Sequence, residues 1–222
     1  LNDFDVFQDD STGVIHVAFI EEGDGDGDAV AYGNVTYTGS WTVRIGATYA
    51  ANPAVPSVAR PSIVVNQSSP PNIWIAYTFS ATGLRGVNSV NSSNGGGAWT
   101  VITGPISADA TESIRYPSLV LRGGNNVTLI AVNDTGKGNW SYLGQNGTGW
   151  VGSRGFSVTS ASSVLAGGNW SAIDNGSGTI HFVSSGGNWA TLVGETWTNQ
   201  TNIGGGNATN FVEPSITTNG SD

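Results

Sequence analysis

The sequence contains no cysteine, which excludes a disulfide framework, thiolate chemistry and a cysteine-based zinc site. Charge is also scarce: 10% of the 222 residues are charged, with 7 lysines and arginines against 16 acidic residues. The net charge of −9 argues against nucleic acid or an anionic membrane surface as a partner. No apolar run is long enough to span a membrane, and no leader peptide precedes Leu1. We therefore expect a soluble segment, already processed or cut from a longer chain, with no membrane insertion.

Glycine is abundant instead, with 33 residues, and no long apolar pattern with the 3.6-residue period of a helix is visible. Residues 61–103 contain four short apolar or alternating segments separated by turns of glycine, asparagine and serine. These segments are PSIVV (61–65), IWIAYTF (73–79), LRGVNSV (84–90) and AWTVIT (98–103). This pattern predicts four consecutive strands, so we expect an all-β fold with hardly any helix.

The same four-strand pattern recurs along the whole chain. First strands start at Phe4, Pro61, Pro117, Trp170 and Pro214, and a tryptophan marks the fourth strand at Trp41, Trp99, Trp150 and Trp197. A period of about 50 residues with four strands per unit is typical of propeller blades. We predict a single β-propeller-type domain of four four-stranded blades, in units of about 1–56, 57–110, 111–160 and 161–211, plus the first strand of a fifth in 212–222.

The fifth unit stops after one strand, which we predict to pair with a neighbouring blade or subunit. Its residues are Glu213, Pro214, Ser215, Ile216, Thr217 and Thr218. Three explanations stay open. Further blades of a longer chain complete a ring, or the strand joins copies of the protein head to tail, or four units close alone and leave a tail.

Asparagine occurs in twelve Asn-X-Ser/Thr sequons, more than chance gives for this composition. They are Asn34, Asn66, Asn91, Asn126, Asn133, Asn139, Asn146, Asn169, Asn175, Asn199, Asn207 and Asn219. The excess predicts a secreted or cell-surface glycoprotein that carries covalent N-glycans. The alternative is that asparagine, glycine, serine and threonine gather in turns and form sequons by accident.

One acidic run, EEGDGDGD at residues 21–28, alternates Asp24, Asp26 and Asp28 with glycine. Carboxylates at positions one, three and five begin a calcium loop, so Ca²⁺ is the one candidate cofactor. The glycine and glutamate expected at the sixth and twelfth positions are replaced by Ala29 and Val35. A solvated turn is therefore the alternative.

The turn after the third strand of the second unit carries Ser92, Asn94, Gly96 and Trp99. Their spacing resembles the Asp-box, Ser-X-Asp-X-Gly-X-Thr-Trp, of sialidase-like propellers, with Asn94 in place of the aspartate and Ala98 in place of the threonine. In that family the box is a fold-stabilising turn, so the resemblance concerns architecture.

Other motifs resemble the extracellular β-propeller repeats of bacteria and archaea across the whole chain. The matching segments are Pro61-Ser62-Ile63, Tyr116-Pro117-Ser118-Leu119, Pro214-Ser215-Ile216, Ile15-His16-Val17-Ala18-Phe19, Ile73-Trp74-Ile75-Ala76-Tyr77 and Ile180-His181-Phe182. The resemblance implies a propeller fold and an extracellular location, and it leaves the activity open.

Residues with catalytic potential are few. His16 and His181 occupy equivalent repeat positions, which indicates structural roles and leaves no histidine for a Ser-His-Asp site. The resemblance to sialidases implies an arginine triad and a Tyr-Glu pair. The chain has six arginines, Arg44, Arg60, Arg85, Arg115, Arg122 and Arg154, but no motif pairs a glutamate with a tyrosine. We therefore predict no catalytic residue, with a sialidase-type glycosidase as the least favoured alternative.

Eight tryptophans favour carbohydrate binding, because indole faces stack on sugar rings. Four of them mark fourth strands and are expected to pack between blades, whereas Trp140, Trp170 and Trp189 each follow an asparagine and are expected to be partly exposed. The function predicted from the sequence is a non-enzymatic structural or adhesive surface component, such as a filament or surface-layer subunit joined by strand addition. A lectin-like propeller with a carbohydrate ligand is the alternative.

Overall fold

A computed structural model describes most of the chain as β-strands joined by turns. The described residues are 3–21, 29–36, 41–44, 57–81, 84–102, 114–122, 126–133, 137–143, 149–157, 170–184, 189–194 and 196–200. Sixteen strands are seen in these ranges: β1 Phe4–Asp9, β2 Val14–Glu21, β3 Ala29–Thr36, β4 Trp41–Arg44, β5 Ser57–Val65, β6 Ile73–Ala81, β7 Leu84–Ser92, β8 Thr100–Val101, β9 Ile114–Arg122, β10 Asn126–Asn133, β11 Lys137–Leu143, β12 Trp150–Ser157, β13 Trp170–Asp174, β14 Thr179–Ser184, β15 Trp189–Val193 and β16 Thr196–Gln200. The described ranges hold no helix that is long and apolar enough to cross a membrane.

The strands form four antiparallel sheets of four, β1–β4, β5–β8, β9–β12 and β13–β16, and within each sheet consecutive strands are neighbours. This arrangement confirms the predicted all-β fold with four four-stranded blades. The predicted limits of two strands were wrong in the second blade, where β5 begins at Ser57 instead of Pro61 and β8 spans only Thr100–Val101. The β5–β6 register shifts between Ala59 and Ser62, so the strand continues past the proline through a bulge.

The second strands of the two inner blades, β6 and β10, are buried on both faces, which explains why they carry no charge. On β6, Ile73, Ile75 and Tyr77 point toward the first blade and join a core with Ala18 and Tyr32. Trp74 and Ala76 point the other way, into a core with Leu129 and Trp150 of the third blade. A blade therefore depends on its neighbours for burial, as in other repeat folds.

Side chains on the first strands hold successive blades together by hydrogen bonds. The Ile63 N–H donates to Asp5 Oδ2 at 2.9 Å, and the Leu119 N–H donates to Ser62 Oγ at 3.0 Å. Asp5 and Ser62 occupy the same repeat position, and each accepts from the residue that follows this position in the next blade. The serine of the Pro-Ser-Ile motif is thus a link between blades.

Two of the fourth-strand tryptophans pack on the preceding blade, as the repeat predicted. Trp150 donates from Nε1 to Ser89 Oγ at 2.7 Å, and the Trp99 ring meets the Tyr32 ring edge-on with centroids 5.5 Å apart.

The Asp-box-like turn has the fold-stabilising geometry that its sequence predicted. Ser92 Oγ accepts from the Gly96 N–H at 2.9 Å, and Asn94 Oδ1 accepts from the Ala98 N–H at 2.8 Å. Gly96 has φ +91°, and a Cβ at this position would lie 2.5 Å from the Tyr32 ring. Glycine is therefore required here both for the backbone conformation and for contact with the first blade.

Replacing Ser62 with alanine is expected to lower the free energy of unfolding by about 1–3 kcal/mol, because the buried Leu119 N–H loses its acceptor. Denaturant unfolding measures the change. Ser93→Ala, at an exposed serine, is the control and is expected to stay within about 0.5 kcal/mol of the wild type. Equal stabilities for the two variants would show that the link between blades contributes nothing.

Gly96→Ala and Gly176→Ala form a matched pair, because both glycines have positive φ and only Gly96 faces a close neighbour. Gly176→Ala is expected to cost about 1–2 kcal/mol from backbone strain alone. Gly96→Ala is expected to cost a further 1–3 kcal/mol or so, because the new methyl group collides with Tyr32. Thermal melts of both variants test the difference, and equal losses would contradict it.

Candidate functional site

A cavity of about 580 Å³ is lined by the first strands of all four blades, β1, β5, β9 and β13. Its volume is in the range of small-molecule sites. Its polar lining comprises Asp3, Asp5, Arg60, Ser62, Ser118, Ser171 and Asp174. Three carboxylates and one guanidinium group therefore lie where the four blades meet.

Asp5 is the lining residue whose environment is most altered. Its carboxylate accepts from the Val6 N–H at 2.9 Å and from the Ile63 N–H at 2.9 Å. Burial raises the pKa of the Asp5 carboxyl, and hydrogen bonds from Ile63, Val6 and Ser62 reduce this effect without cancelling it. The carboxyl thus keeps its proton to a higher pH than an ordinary aspartate, as a general acid requires.

Asp3 and Arg60 lie beside Asp5 at one end of the cavity. Asp3 Oδ2 accepts from the Arg60 N–H at 2.9 Å, and Arg60 has φ 52° at the bulge of β5. Left-handed backbone is costly for arginine and is often kept at functional sites. Asp3 and Asp5 are separated by one residue, Phe4, so their side chains lie on the same face of the chain. The two residues are about 7 Å apart along the chain.

Asp174 lies at the last position of β13, whereas Asp3 lies just before β1. The first strands β1 and β13 line the cavity in equivalent positions. A carboxylate before the start of one strand and a carboxylate at the end of the other therefore lie at opposite ends of the cavity. Asp174 Oδ1 accepts from the Gly176 N–H at 2.6 Å and from the Gly178 N–H at 3.3 Å. Its Oδ2 is buried, without a hydrogen-bond partner among the described residues.

His16 lies away from the cavity lining, between the first and second blades. It is 2% exposed, and its Nδ1 is 2.7 Å from Tyr32 Oη. Burial lowers the pKa of His16, against an opposing effect of the Asp9 carboxylate. The other repeat histidine, His181, stacks on Trp189 with ring centroids 5.9 Å apart.

Three blades use an Asp or Asn side chain to close the turn between their first and second strands. Asn66 Oδ1 accepts from the Ser68 and Asn72 N–H groups, and Asn175 Oδ1 accepts from the Ser177 and Thr179 N–H groups. Asp9 makes the equivalent contacts in the first blade. The sequons at Asn66 and Asn175 therefore also encode a turn, for which aspartate serves equally well.

The predicted glycosylation sites differ in exposure. Asn126 and Asn175 are exposed, Asn34 and Asn91 are half-buried, and Asn66 is 7% exposed. Asn133, Asn139 and Asn199 lie in strands whose side chains at these positions are not described, and Asn146, Asn169, Asn207 and Asn219 lie outside the described residues. Glycosylation of these sites stays a prediction.

The predicted calcium ligands Asp24, Asp26 and Asp28 and the predicted pairing strand, residues 213–218, also lie outside the described residues. Within the described ranges, no group of three or more histidine, aspartate or glutamate residues could hold a metal ion. Of the three tryptophans predicted to be exposed, Trp189 is half-buried, and the side chains of Trp140 and Trp170 are not described.

The sequence matches no protein-family model and no curated protein. The fold, however, is similar to an endo-arabinase from Bacteroides thetaiotaomicron, with 12% identity, 90% of this chain and 73% of that chain covered, and a TM-score of 0.55. It is also similar to an α-L-arabinofuranosidase from Fusarium graminearum, with 10% identity, coverage of 89% and 64%, and a TM-score of 0.60. An α-L-arabinanase from Penicillium chrysogenum gives 13% identity, coverage of 89% and 64%, and a TM-score of 0.58.

These likenesses place the chain in the β-propeller fold class, and the chain spans about two thirds to three quarters of the length of the three structures. They contradict the prediction of a non-enzymatic structural, adhesive or lectin-like protein, because the structures that share the fold are glycoside hydrolases. The prediction that the protein is not an enzyme was wrong for the same reason. None of the names of these three structures mentions the repeat family that the sequence motifs suggested.

The sequence analysis missed Asp3, Asp5 and Asp174 as candidate site residues. One signal was present: Phe4-Asp5-Val6 aligns with Pro61-Ser62-Ile63, so an aspartate replaces the serine of the repeat in the first blade alone. A titratable group at a position that other repeats fill with serine is a candidate for chemistry.

Because the pKa of His16 is lowered in the folded protein, folding is penalised once the pH falls below about 6.5, the ordinary pKa of histidine, where the unfolded chain takes up a proton first. Stability is therefore expected to fall more steeply between pH 7 and pH 5 in the wild type than in His16→Asn, whose amide can replace Nδ1 beside Tyr32. Thermal melts across this range measure both slopes. Parallel slopes would show that His16 contributes nothing to acid sensitivity.

Proposed function

We propose that the protein is a glycoside hydrolase whose active site is the cavity between the four first strands. The observation that carries this proposal is the half-buried Asp5 carboxyl, with its raised pKa, on the cavity wall beside a second carboxylate, Asp3. Glycoside hydrolysis commonly uses two carboxyl groups of this kind, one protonated and one ionised. The similarity to propeller glycosidases supports the choice of reaction.

In the proposed reaction, Asp5 donates its proton to the glycosidic oxygen as the bond to the anomeric carbon breaks. Asp3 removes a proton from the water molecule that attacks this carbon, so that the products are a free sugar and an alcohol. Asp3 and Asp5 lie about 7 Å apart along the chain, a residue spacing that leaves room for a water molecule between the two carboxyl groups, as inverting enzymes require. We therefore propose hydrolysis with inversion of configuration.

We further propose a neutral substrate that contains arabinose or galactose. Of the arginines whose side chains are described, Arg60 alone lines the cavity, against three carboxylates, and this excess of negative charge disfavours an anionic sugar. The names of the similar structures specify an arabinase, arabinanases, an arabinofuranosidase and a β-1,3-galactosidase. We propose that the enzyme acts outside the cell, and the extracellular location and the N-glycans predicted from the sequence are kept as part of this proposal.

Activity is tested with the full chain on aryl α-L-arabinofuranoside, aryl β-D-galactoside and linear arabinan. The wild type is expected to hydrolyse at least one of them. Asp5→Asn is expected to lose about 10²–10⁴-fold in kcat, because the amide still accepts from Ile63 but supplies no acidic proton. NMR of the first-formed anomer tests inversion.

Asp10→Asn is the matched control, since Asp10 is exposed and lies outside the cavity lining, and it is expected to keep wild-type activity. Thermal melts confirm that each variant is folded. The proposal fails if the folded wild type hydrolyses none of the three substrates, or if Asp5→Asn is as active as Asp10→Asn.

A further inference from the structure

One face of the first blade is apolar and open to solvent. Phe4 is 63% exposed, Val6 46% and Ile15 37%. Phe4 pairs with Phe19 across β1 and β2, and Val6 pairs with Val17, so these apolar side chains form one continuous surface. We call Phe4, Val6, Ile15, Val17 and Phe19 the open face.

The equivalent face of every other blade is covered. Val6 corresponds to Ile63, which is 3% exposed, and Ile15 corresponds to Ile73, Val127 and Ile180, each 0% exposed. Ile63 and Ile73 are covered by Ala18 and Tyr32 of the preceding blade. The open face therefore has the apolar composition of the surfaces on which a preceding blade packs elsewhere in the structure.

The chain beyond Gln200 carries a segment with the matching pattern. The connections between β4 and β5, between β8 and β9, and between β12 and β13 are residues 45–56, 102–113 and 158–169, twelve residues each. A connection of the same length after Gln200 leads to Glu213, directly before Pro214-Ser215-Ile216. We propose that residues 213–218 form a fifth first strand that packs on the open face.

The hydrogen bonds between blades specify how this strand would be oriented. Ser62 accepts from the N–H of Leu119 in the following blade, and Ser215 and Val6 are the equivalent pair for a fifth blade that precedes the first. Among the described residues, the Val6 N–H donates to the half-buried carboxylate of its neighbour Asp5. In this arrangement Ser215 Oγ accepts a hydrogen bond from the Val6 N–H. Thr217, the equivalent of Val64, packs against Val6.

The absence of native cysteine allows a direct test in the full chain. In the double variant Val6→Cys/Thr217→Cys, mild oxidation is expected to form a disulfide within one chain in most molecules, because adjacent first strands approach each other closely, as the 3.0 Å hydrogen bond from the Leu119 N–H to Ser62 Oγ shows. Non-reducing electrophoresis and peptide mass spectrometry identify the bond. Val6→Cys/Ser215→Cys is a second pair in case the first does not fold.

Val6→Cys/Val193→Cys is the matched control, because Val193 is an exposed residue at the end of β15 rather than on a first strand, and no bond within the chain is expected. Disulfide-linked dimers of the test variants would overturn the proposal and show that a second copy supplies the strand. No bond in either folded test variant, or bonding no greater than in the control, would also overturn it. The test measures no activity, so it is independent of the proposed hydrolase function.

Discussion

Burial of the inner second strands, β6 and β10, between two neighbouring blades is the constraint on which the rest of the structure depends. An uncharged strand such as β6 can be buried on both faces only if another blade packs on each side of it. This requirement stacks the four sheets in chain order and brings their first strands together around one cavity. The cavity is thus a consequence of the packing between blades, and its chemistry is set by the side chains that the first strands carry.

Structural and chemical roles meet at Asp5. In the second blade the same position is Ser62, whose hydroxyl only links two blades. In the first blade an aspartate makes the same link and adds a carboxyl group whose pKa is raised by burial. The same position is repeated in every blade. One blade can therefore carry a different residue there and acquire a chemical role, while the neighbouring blades keep the fold intact.

The sequence predicted the four four-stranded blades, the packing of Trp99 and Trp150, and the turn at Ser92 and Asn94. These features are encoded locally, by alternation, turn residues and period. The candidate site was not predicted, because Asp3 and Asp5 belong to an ordinary strand segment and no motif marks them. The non-enzymatic function was inferred from motifs that are structural, and such motifs carry no information about the cavity.

The sequence by itself determined the all-β class and the four four-stranded units, because the repeat period and the hydrophobic pattern fix which segments must be buried. Only the tertiary structure decided that Asp3, Asp5, Arg60 and Asp174 line one cavity, that the pKa of Asp5 is raised, and that Phe4 and Val6 remain exposed. The physical reason is that cavity lining, desolvation and exposure all depend on contacts between residues about 57 positions or more apart in the chain, which a local pattern does not specify.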